Sequence, residues 1–111
     1  MMTRCGAAIV LFFRLVSSAG AEPQLKAAEA PKVTIDRICT LIAKEADANG
    51  LPREFFARLI WKESRFDHNA VSPVGAEGIA QFMPGTAKIV GLADPFDIDQ
   101  AIPASAAYLA R

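Results

Sequence analysis

Two segments of helical periodicity, separated by a glycine and a proline, constrain the fold of this chain more than any other feature. Thr34 is a suitable N-cap, and apolar residues then recur at helical spacing. Gly50 favours the left-handed conformation that ends a helix, and Pro52 fits the first turn of the next one. We therefore predict a helix from Thr34 to about Asn49 and a second from Pro52 to about Ser64.

The apolar face of the first helix also bears on disulfide and metal chemistry. Its stripe consists of Ile35, Ile38, Cys39, Ile42 and Ala46. On this stripe Cys39 is predicted to be a small buried side chain. The other cysteine, Cys5, lies in the N-terminal segment that is predicted below to be removed as an export signal, so no intrachain disulfide is expected. The one histidine, His68, has no second soft ligand near it. We therefore predict no metal site and no cofactor.

The middle of the chain indicates short helices joined by turns. Residues 65–78 are rich in turn residues, and a short helix is predicted over Ile79–Phe82. Pro84 is predicted to break the chain before Thr86 caps another turn or two that end at Gly91.

A final helix is predicted towards residue 111. Asp97 can cap this helix, which would reach Ala110. Pro103 either kinks it or opens it after a separate turn over residues 97–101. Alternation of the kind that indicates a strand is never sustained beyond about four residues, so the predicted fold class is all-α.

The N-terminal segment predicts export. Arg4 precedes the apolar run Cys5–Phe13, and Ala19-Gly20-Ala21 resembles a signal peptidase site, so residues 1–21 are predicted to be an export signal. The apolar run is too short for a stable membrane span, which needs about 20 residues. The expected location is the periplasm or the cell envelope.

The remaining chain is small and nearly neutral. Residues 22–32 carry two prolines and no sustained apolar period, which predicts a linker before one folded domain over residues 33–111. Twelve basic and twelve acidic residues balance, and removing Arg4 and Arg14 with the signal leaves ten basic residues. This charge argues against nucleic acid and anionic membranes as partners. Nothing in the sequence indicates an oligomer, so a monomer is expected.

One acidic residue occupies the apolar face of the second helix. That face, an arc about 140° wide, is formed by Phe55, Phe56, Leu59 and Ile60. Glu63 projects into the middle of the arc. Desolvation and the negative end of the helix dipole would both raise the pKa of its carboxyl group, which is what a general acid requires.

Periodicity alone leaves two interpretations of Glu63 open. It is a proton donor, or it forms an ion pair at the rim of the core with Lys62, Arg65 or Arg53. The residues downstream favour the first interpretation, because Ser72 could hydrogen-bond the carboxyl group.

Further downstream residues could form the wall of a cleft. The turn from Gly75 to Gly78 could bring backbone against a substrate, and Gln81 and Met83 would supply an amide and an adaptable apolar surface. Each feature also has an ordinary structural explanation, as turn residues or as a core methionine.

Taken in order, these residues resemble the catalytic domain of the soluble lytic transglycosylases, relatives of goose-type lysozyme. The family pattern is Glu-Ser-x-Phe, Ala-x-Ser, Gly-Ala-x-Gly and Gln-x-Met-Pro-x-Thr-Ala. This chain matches it at Glu63–Phe66, Ala70–Ser72, Gly75–Gly78 and Gln81–Ala87, and more loosely over residues 33–111.

The resemblance implies a lysozyme-like helical domain that cleaves the glycan strands of peptidoglycan. By it, Glu63 is the single general acid and base, Ser72 orients Glu63 by a hydrogen bond, and Gln81 and Met83 contact the sugar or its acetamido group. The implied products carry 1,6-anhydro-N-acetylmuramic acid ends. A lysozyme-like hydrolase and an inactive wall-binding remnant are the alternatives.

The resemblance also implies that the family domain continues beyond the matched part. Its later motif, Ala-Tyr-Asn-x-Gly, is absent from the sequence, so a domain incomplete at its C-terminus is expected. In that case Tyr108 and Leu109 should be less buried than Leu59 and Ile60.

Overall fold

Four helices make up the described part of the chain, residues 31–111, in a computed structural model. They are α1 (Ile35–Ala48), α2 (Arg53–Ser64), α3 (Pro84–Ile89) and α4 (Ile98–Leu109). The predicted export signal, and the predicted linker up to residue 30, lie outside the described residues. The all-α prediction is confirmed, since extended pairing within residues 31–111 is limited to two isolated antiparallel bridges, Val71 with Glu77 and Glu77 with Phe82.

The turn between α1 and α2 follows the predicted helix signals. Thr34 Oγ1 accepts the backbone N–H of Arg37 at 3.1 Å, which caps α1. At the other end Gly50 has φ +70°, and the N–H of Leu51 donates to the carbonyl of Ala46 at 2.8 Å. This is the Schellman arrangement, in which a left-handed glycine lets the chain return onto the last turn of the helix.

The core lies where α1 packs against both α2 and α4. Its fully buried members come from these three helices and from the turn after residue 78. They are Ile38, Ile42, Ala46, Phe56, Ile60, Ile79, Ile98, Ala101, Ile102 and Ala106. Residues 32–111 form one compact unit around this core.

The apolar face of α1 is narrower than predicted. Cys39 is exposed and Ile35 is 57% exposed, so the prediction of a buried Cys39 is wrong. The buried residues of α1 follow a single row at intervals of four, and Cys39 is turned about 100° away from Ile38. Phe55 of α2 is likewise 50% exposed, for the same reason.

The predicted short helix over Ile79–Phe82 is a turn instead. The backbone N–H groups of Glu77 and Phe82 donate to each other's carbonyls at 2.9 and 3.0 Å, and Gln81 takes a positive φ of 52°. The following helix, α3, begins at Pro84 and not at a Thr86 cap. Pro84 starts the helix because its missing N–H is not needed in the first turn.

The last helix resolves the ambiguity at Pro103. Asp97 caps α4, as predicted, by accepting the N–H of Asp99 at 2.9 Å, and the helix runs through Pro103 to Leu109. Arg37 of α1 holds the start of α4 through two bonds to the Asp99 carboxylate, at 2.7 and 2.8 Å. Among residues 31–111 there is no helix with the length and apolar character that crossing a membrane requires.

Gly78 allows two backbone segments to touch. Its φ is +82°, its N–H donates to the carbonyl of Ala70 at 2.8 Å, and a Cβ added to it would lie 1.9 Å from the carbonyl oxygen of Pro95. No side chain fits this space. The chain itself therefore occupies the Cβ side of this glycine, and an approach of the Gly75–Gly78 backbone to a substrate stays a prediction.

Gly78→Ala is expected to lower the free energy of unfolding by more than about 2 kcal/mol, because the new methyl group overlaps Pro95 and φ is strained. The matched control is Gly75→Ala. Gly75 also has a positive φ, of 95°, but has open space at its Cβ position. The Gly75→Ala variant should lose only about 1 kcal/mol in its free energy of unfolding. Denaturant unfolding of the two variants measures the difference, and equal losses would contradict the steric argument.

Asp47 and Arg53 form an exposed ion pair across the α1–α2 turn. Arg53 Nε donates to Asp47 Oδ1 at 2.9 Å, and Nη2 donates to Oδ2. The hydrogen bond from Arg53 lowers the pKa of Asp47 below its ordinary value of 3.8. Because the pKa is depressed on folding, the pair stabilises the fold above pH 3.8 and ceases to do so as the pH falls through the folded-state pKa.

Asp47→Asn is therefore expected to lower the melting temperature slightly at neutral pH and to leave it unchanged in acid below the folded-state pKa of Asp47. Thermal unfolding across this pH range measures the effect. In an Arg53→Gln background the same substitution should change nothing at either pH. A loss that persists in acid would show that Asp47 stabilises the fold by other means.

Candidate active site

A cleft of about 270 Å³ opens between the end of α2, the segment after residue 79 and the second half of α4. Its lining consists of Leu59, Glu63, Ala80, Gln81, Phe82, Met83, Thr86, Ser105, Tyr108 and Leu109. Of the residues predicted for the site, the cleft brings together Glu63, Gln81 and Met83. The other three, Ser72, Gly75 and Gly78, lie outside its lining.

Glu63 lies in the last turn of α2, on the side that faces the core. It is exposed, so the predicted enclosure by apolar side chains is wrong. One turn earlier Ile60 is fully buried, but at Glu63 the helix has passed the end of the core and reached the cleft. Periodicity gave the direction of this side chain correctly. The degree to which this side chain is buried depends on where the neighbouring helices and turns end, which periodicity does not show.

The ion-pair interpretation of Glu63 finds no support within residues 31–111. The ion pairs there join Arg37 to Asp99, Arg53 to Asp47, and Arg58 to Glu54. One predicted partner of Glu63, Arg53, is therefore engaged elsewhere. Another, Arg65, lies over the Trp61 ring at 5.8 Å from its centroid. The Glu63 carboxylate remains available to a ligand in the cleft.

Ser72 organises the loop that precedes the cleft. Its Oγ accepts the backbone N–H of Val74 at 3.3 Å and of Ala76 at 3.0 Å, and its own N–H donates to the carbonyl of Ala76 at 2.9 Å. The predicted hydrogen bond from Ser72 to Glu63 does not occur among those formed within residues 31–111. The physical reason is that the backbone N–H groups of Val74 and Ala76 hold the Ser72 hydroxyl within its own loop, away from α2.

Gln81 supports the same loop from the cleft side. Its Nε2 donates to the carbonyl of Gly78 at 2.8 Å and to that of Ala70 at 3.2 Å. Both amide protons are engaged, so only Oε1 is left to accept a hydrogen bond from a ligand. The positive φ of Gln81, 52°, turns the chain so that Phe82 and Met83 face the cleft.

Ser64, for which the sequence pattern predicts no role of its own, joins the two walls of the cleft. Its Oγ lies 2.7 Å from the carbonyl oxygen of Ile79 and 3.3 Å from that of Ile60. The shorter bond ties the end of α2 to the turn that carries Gln81. The only available signal was the position of Ser64 beside Glu63 in the matched pattern.

α4 contributes three residues to the cleft for which no site role was predicted. Ser105, Tyr108 and Leu109 line the cleft. The rings of Tyr108 and Phe82 pack edge to face, with 6.2 Å between their centroids. The expected order of burial is confirmed: Tyr108 is 43% and Leu109 39% exposed, whereas Ile60 is fully buried and Leu59 partly buried. The rim of the cleft is therefore apolar and open.

The described residues do not contain three or more His, Cys, Asp or Glu side chains grouped closely enough to hold a metal ion. The chemistry available in the cleft is that of one carboxylate, one amide oxygen and hydroxyl groups, set among apolar side chains. Such a set suits proton transfer to and from a neutral, hydroxyl-rich ligand.

Comparisons with known proteins point to one family. The sequence profile described as Transglycosylase SLT domain matches residues 40–111. Membrane-bound lytic murein transglycosylase F of Desulfosudis oleivorans is 40% identical over 77 residues, which cover 69% of this chain and 17% of that protein. The protein of the same name from Alcanivorax borkumensis is 34% identical over 71 residues, or 64% of this chain and 15% of that protein.

A phage protein shares a shorter stretch. Peptidoglycan transglycosylase gp16 of Escherichia phage T7 is 44% identical over 52 residues, which cover 47% of this chain and 4% of that protein. The chain thus spans less than a fifth of the length of each of these relatives.

Proposed function

The chain belongs to the transglycosylase SLT domain family, and from this premise we propose that it is a peptidoglycan lytic transglycosylase with Glu63 as its general acid and base. Its ligand is a glycan strand laid along the cleft beside α2 and α4. The names of its relatives refer to murein or peptidoglycan transglycosylases, which supports this choice of substrate.

One observation carries the proposal: of the ten residues in the described part of the chain that line the cleft, Glu63 is the only one with a carboxyl group. Ordinary glycosidases flank the scissile bond with two carboxyl groups, one for the leaving oxygen and one for water or for the sugar carbon. A cleft with a single carboxyl group favours a reaction in which the substrate supplies its own nucleophile.

In the proposed reaction the Glu63 carboxyl group donates its proton to the oxygen between N-acetylmuramic acid and N-acetylglucosamine. The bond from this oxygen to C1 of the muramic acid breaks, and its electron pair leaves with the oxygen. The Glu63 carboxylate then takes the proton of the muramic acid C6 hydroxyl as O6 attacks C1. A 1,6-anhydro ring forms, the acid is regenerated, and no water is consumed.

The exposure of Glu63 is consistent with this role if the strand itself covers the carboxyl group. Leu59 and Phe82 line the cleft beside it, and Met83 is 43% exposed at the rim. A bound strand would displace water from this surface, so that the apolar surroundings predicted for Glu63 arise only in the complex. Catalytic geometry often tightens in this way when substrate binds.

The remaining predicted site residues take different roles in the proposal. Gln81 Oε1 accepts a hydrogen bond from the sugar, and Met83 provides an apolar contact. Ser72, Gly75 and Gly78 act indirectly, since their hydrogen bonds and backbone conformations shape the loop that Gln81 holds.

The location follows from the substrate. Peptidoglycan lies outside the cytoplasmic membrane, so the proposed activity requires export to the periplasm or cell envelope, as the predicted signal over residues 1–21 provides. The relatives named membrane-bound are consistent with a role in the envelope.

Digestion of purified peptidoglycan sacculi tests the reaction type. We expect mass spectrometry to find soluble fragments with 1,6-anhydro-N-acetylmuramic acid ends, each lighter by one water than the corresponding reducing-end fragment. Reducing ends alone would identify a hydrolase. Retained binding to sacculi without any released fragment would identify a wall-binding domain without activity.

Glu63→Gln is expected to lower the rate of fragment release by about 10²- to 10⁴-fold, because the amide keeps the shape of the side chain and cannot donate the proton. Its melting temperature should equal that of the wild type, since the side chain is exposed. Glu54→Gln is the matched control: Glu54 is on the same helix, its side chain is 88% exposed, and it lies outside the cleft. Equal rates for the two variants would remove Glu63 from the mechanism.

A further inference from the structure

The outward side of α2 carries exposed basic and aromatic side chains that the proposed function leaves unused. Phe55, Arg58, Trp61 and Lys62 fall within an arc of about 120° around the helix axis, at about 100° per residue. Arg65, which follows the helix, places its guanidinium over the Trp61 ring at 5.8 Å from the centroid. All five residues are exposed, and together they form the basic face of α2.

The positive charge of the basic face stands against a nearly neutral background. Residues 31–111 contain nine basic and ten acidic residues, and three of the nine basic residues lie on this face. One carboxylate, that of Glu54, lies in the same arc at 4.0 Å from Arg58, and both side chains are more than four-fifths exposed, so the pair is weak. Lys62 and Arg65 form no ion pair within residues 31–111. The basic face therefore keeps a net positive charge.

Two aromatic rings lie at the opposite edges of the basic face. Phe55 is 50% and Trp61 49% exposed. The rings of Trp61 and Phe66 pack edge to face, with 5.2 Å between their centroids, which holds the indole in place at the surface. Exposed aromatic rings beside Lys and Arg side chains are typical of surfaces that lie in the headgroup region of a membrane.

The basic face points away from the cleft. None of its five residues is among the described residues that line the cleft, and Glu63 is turned about 140° from Arg58 around the helix axis. The side of a helix is convex, so it has no walls to enclose the side chains of a peptide, as a groove does. A broad anionic surface can contact all five side chains at once and leaves the cleft open.

We propose that the basic face docks the domain onto the surface of an anionic phospholipid bilayer, with the cleft directed away from the lipid. Arg58, Lys62 and Arg65 contact the lipid phosphates, and the rings of Phe55 and Trp61 enter the headgroup region. Each cation near such a surface strengthens binding about fivefold. The nearly neutral total charge, which predicts no such attraction, averages this face with acidic residues elsewhere on the chain. The inference does not depend on a catalytic role of Glu63.

Binding of the full chain to lipid vesicles tests the inference. Arg58→Gln/Lys62→Gln removes two charges from the basic face, and the matched control Lys44→Gln/Lys88→Gln removes two from exposed positions on α1 and α3. The two variants therefore have the same total charge. Trp61 is the only tryptophan in the sequence, so its fluorescence reports on the basic face directly. The vesicles contain phosphatidylglycerol and phosphatidylcholine in equal parts, or phosphatidylcholine alone.

We expect the wild type and the Lys44→Gln/Lys88→Gln control to sediment with the anionic vesicles. The emission of Trp61 should shift to the blue and be quenched by lipids brominated on their acyl chains. Arg58→Gln/Lys62→Gln should bind about 25-fold more weakly, a factor of about five for each charge, and about 0.5 M salt should remove most of the binding. Neutral vesicles should leave the Trp61 emission unchanged.

Two further comparisons separate the basic face from other causes of binding. The apolar run Cys5–Phe13 could bring the chain to vesicles of either composition, but this contribution is the same in all variants and does not place Trp61 against lipid. Arg58→Lys/Lys62→Arg, which keeps both charges, should bind as the wild type does. The melting temperatures of all variants should agree, because the substituted side chains are exposed.

Three results would overturn the inference: equal binding by the two charge-removing variants, an unchanged Trp61 emission on anionic vesicles, or tighter binding to poly-glutamate than to the vesicles. The last result would identify an acidic protein as the partner of the basic face. Glu63→Gln should bind vesicles as the wild type does, whether or not it releases fragments from sacculi, so this inference and the proposed function fail or hold separately.

Discussion

The hydrogen bond between the Ser64 hydroxyl and the carbonyl of Ile79 joins the two parts from which the cleft is built. Ser64 ends α2 directly after Glu63, and Ile79 begins the turn that carries Gln81 and Met83. Ile79 is itself fully buried, so the bond links the end of α2 to a residue held in the core. This contact joins the helix that carries the carboxylate directly to the opposite wall of the cleft.

In the loop before the cleft, the polar side chains mainly form hydrogen bonds that stabilise the loop itself. Ser72 and Gln81 direct their hydrogen bonds to backbone groups of the loop, and Gly78 admits the carbonyl of Pro95. A recurrent motif of Ser, Gly and Gln can therefore accompany a carbohydrate site without each member touching the carbohydrate. Of the polar side chains in the motif, those of Glu63 and Thr86 form no such bond within residues 31–111, and both line the cleft.

Sequence gave the local features of the fold correctly, because local chemistry determines them. Thr34, Gly50 and Asp97 act on the backbone within a few residues, and their effects could be predicted without knowing what packs around them. The turn over Ile79–Phe82 could not, since it is fixed by bridges to Glu77 and by the bond from Ser64. The exposure of Cys39 and Glu63 depends on where neighbouring elements end, which periodicity does not encode.

The residues of the candidate site also fall into those that the sequence motif indicated and those that only the folded structure shows. The motif identified Glu63, Gln81 and Met83, which do line one cleft, because they belong to segments that are close in sequence. Ser105 and Tyr108 reach the cleft from a helix that begins more than thirty residues after Glu63 along the chain. Their side chains carry no distinctive local pattern, so only the packing of α4 shows that they belong to the site.

The open position of Glu63 has a consequence for which glycans the domain would process. With solvent on its outer side, the Glu63 carboxylate is hydrated until a ligand covers it. Under the proposed function the bound carbohydrate itself would exclude this water from the exposed side of Glu63. A ligand that covers more of the exposed rim, which includes Met83 and Leu109, would displace more water from the carboxylate.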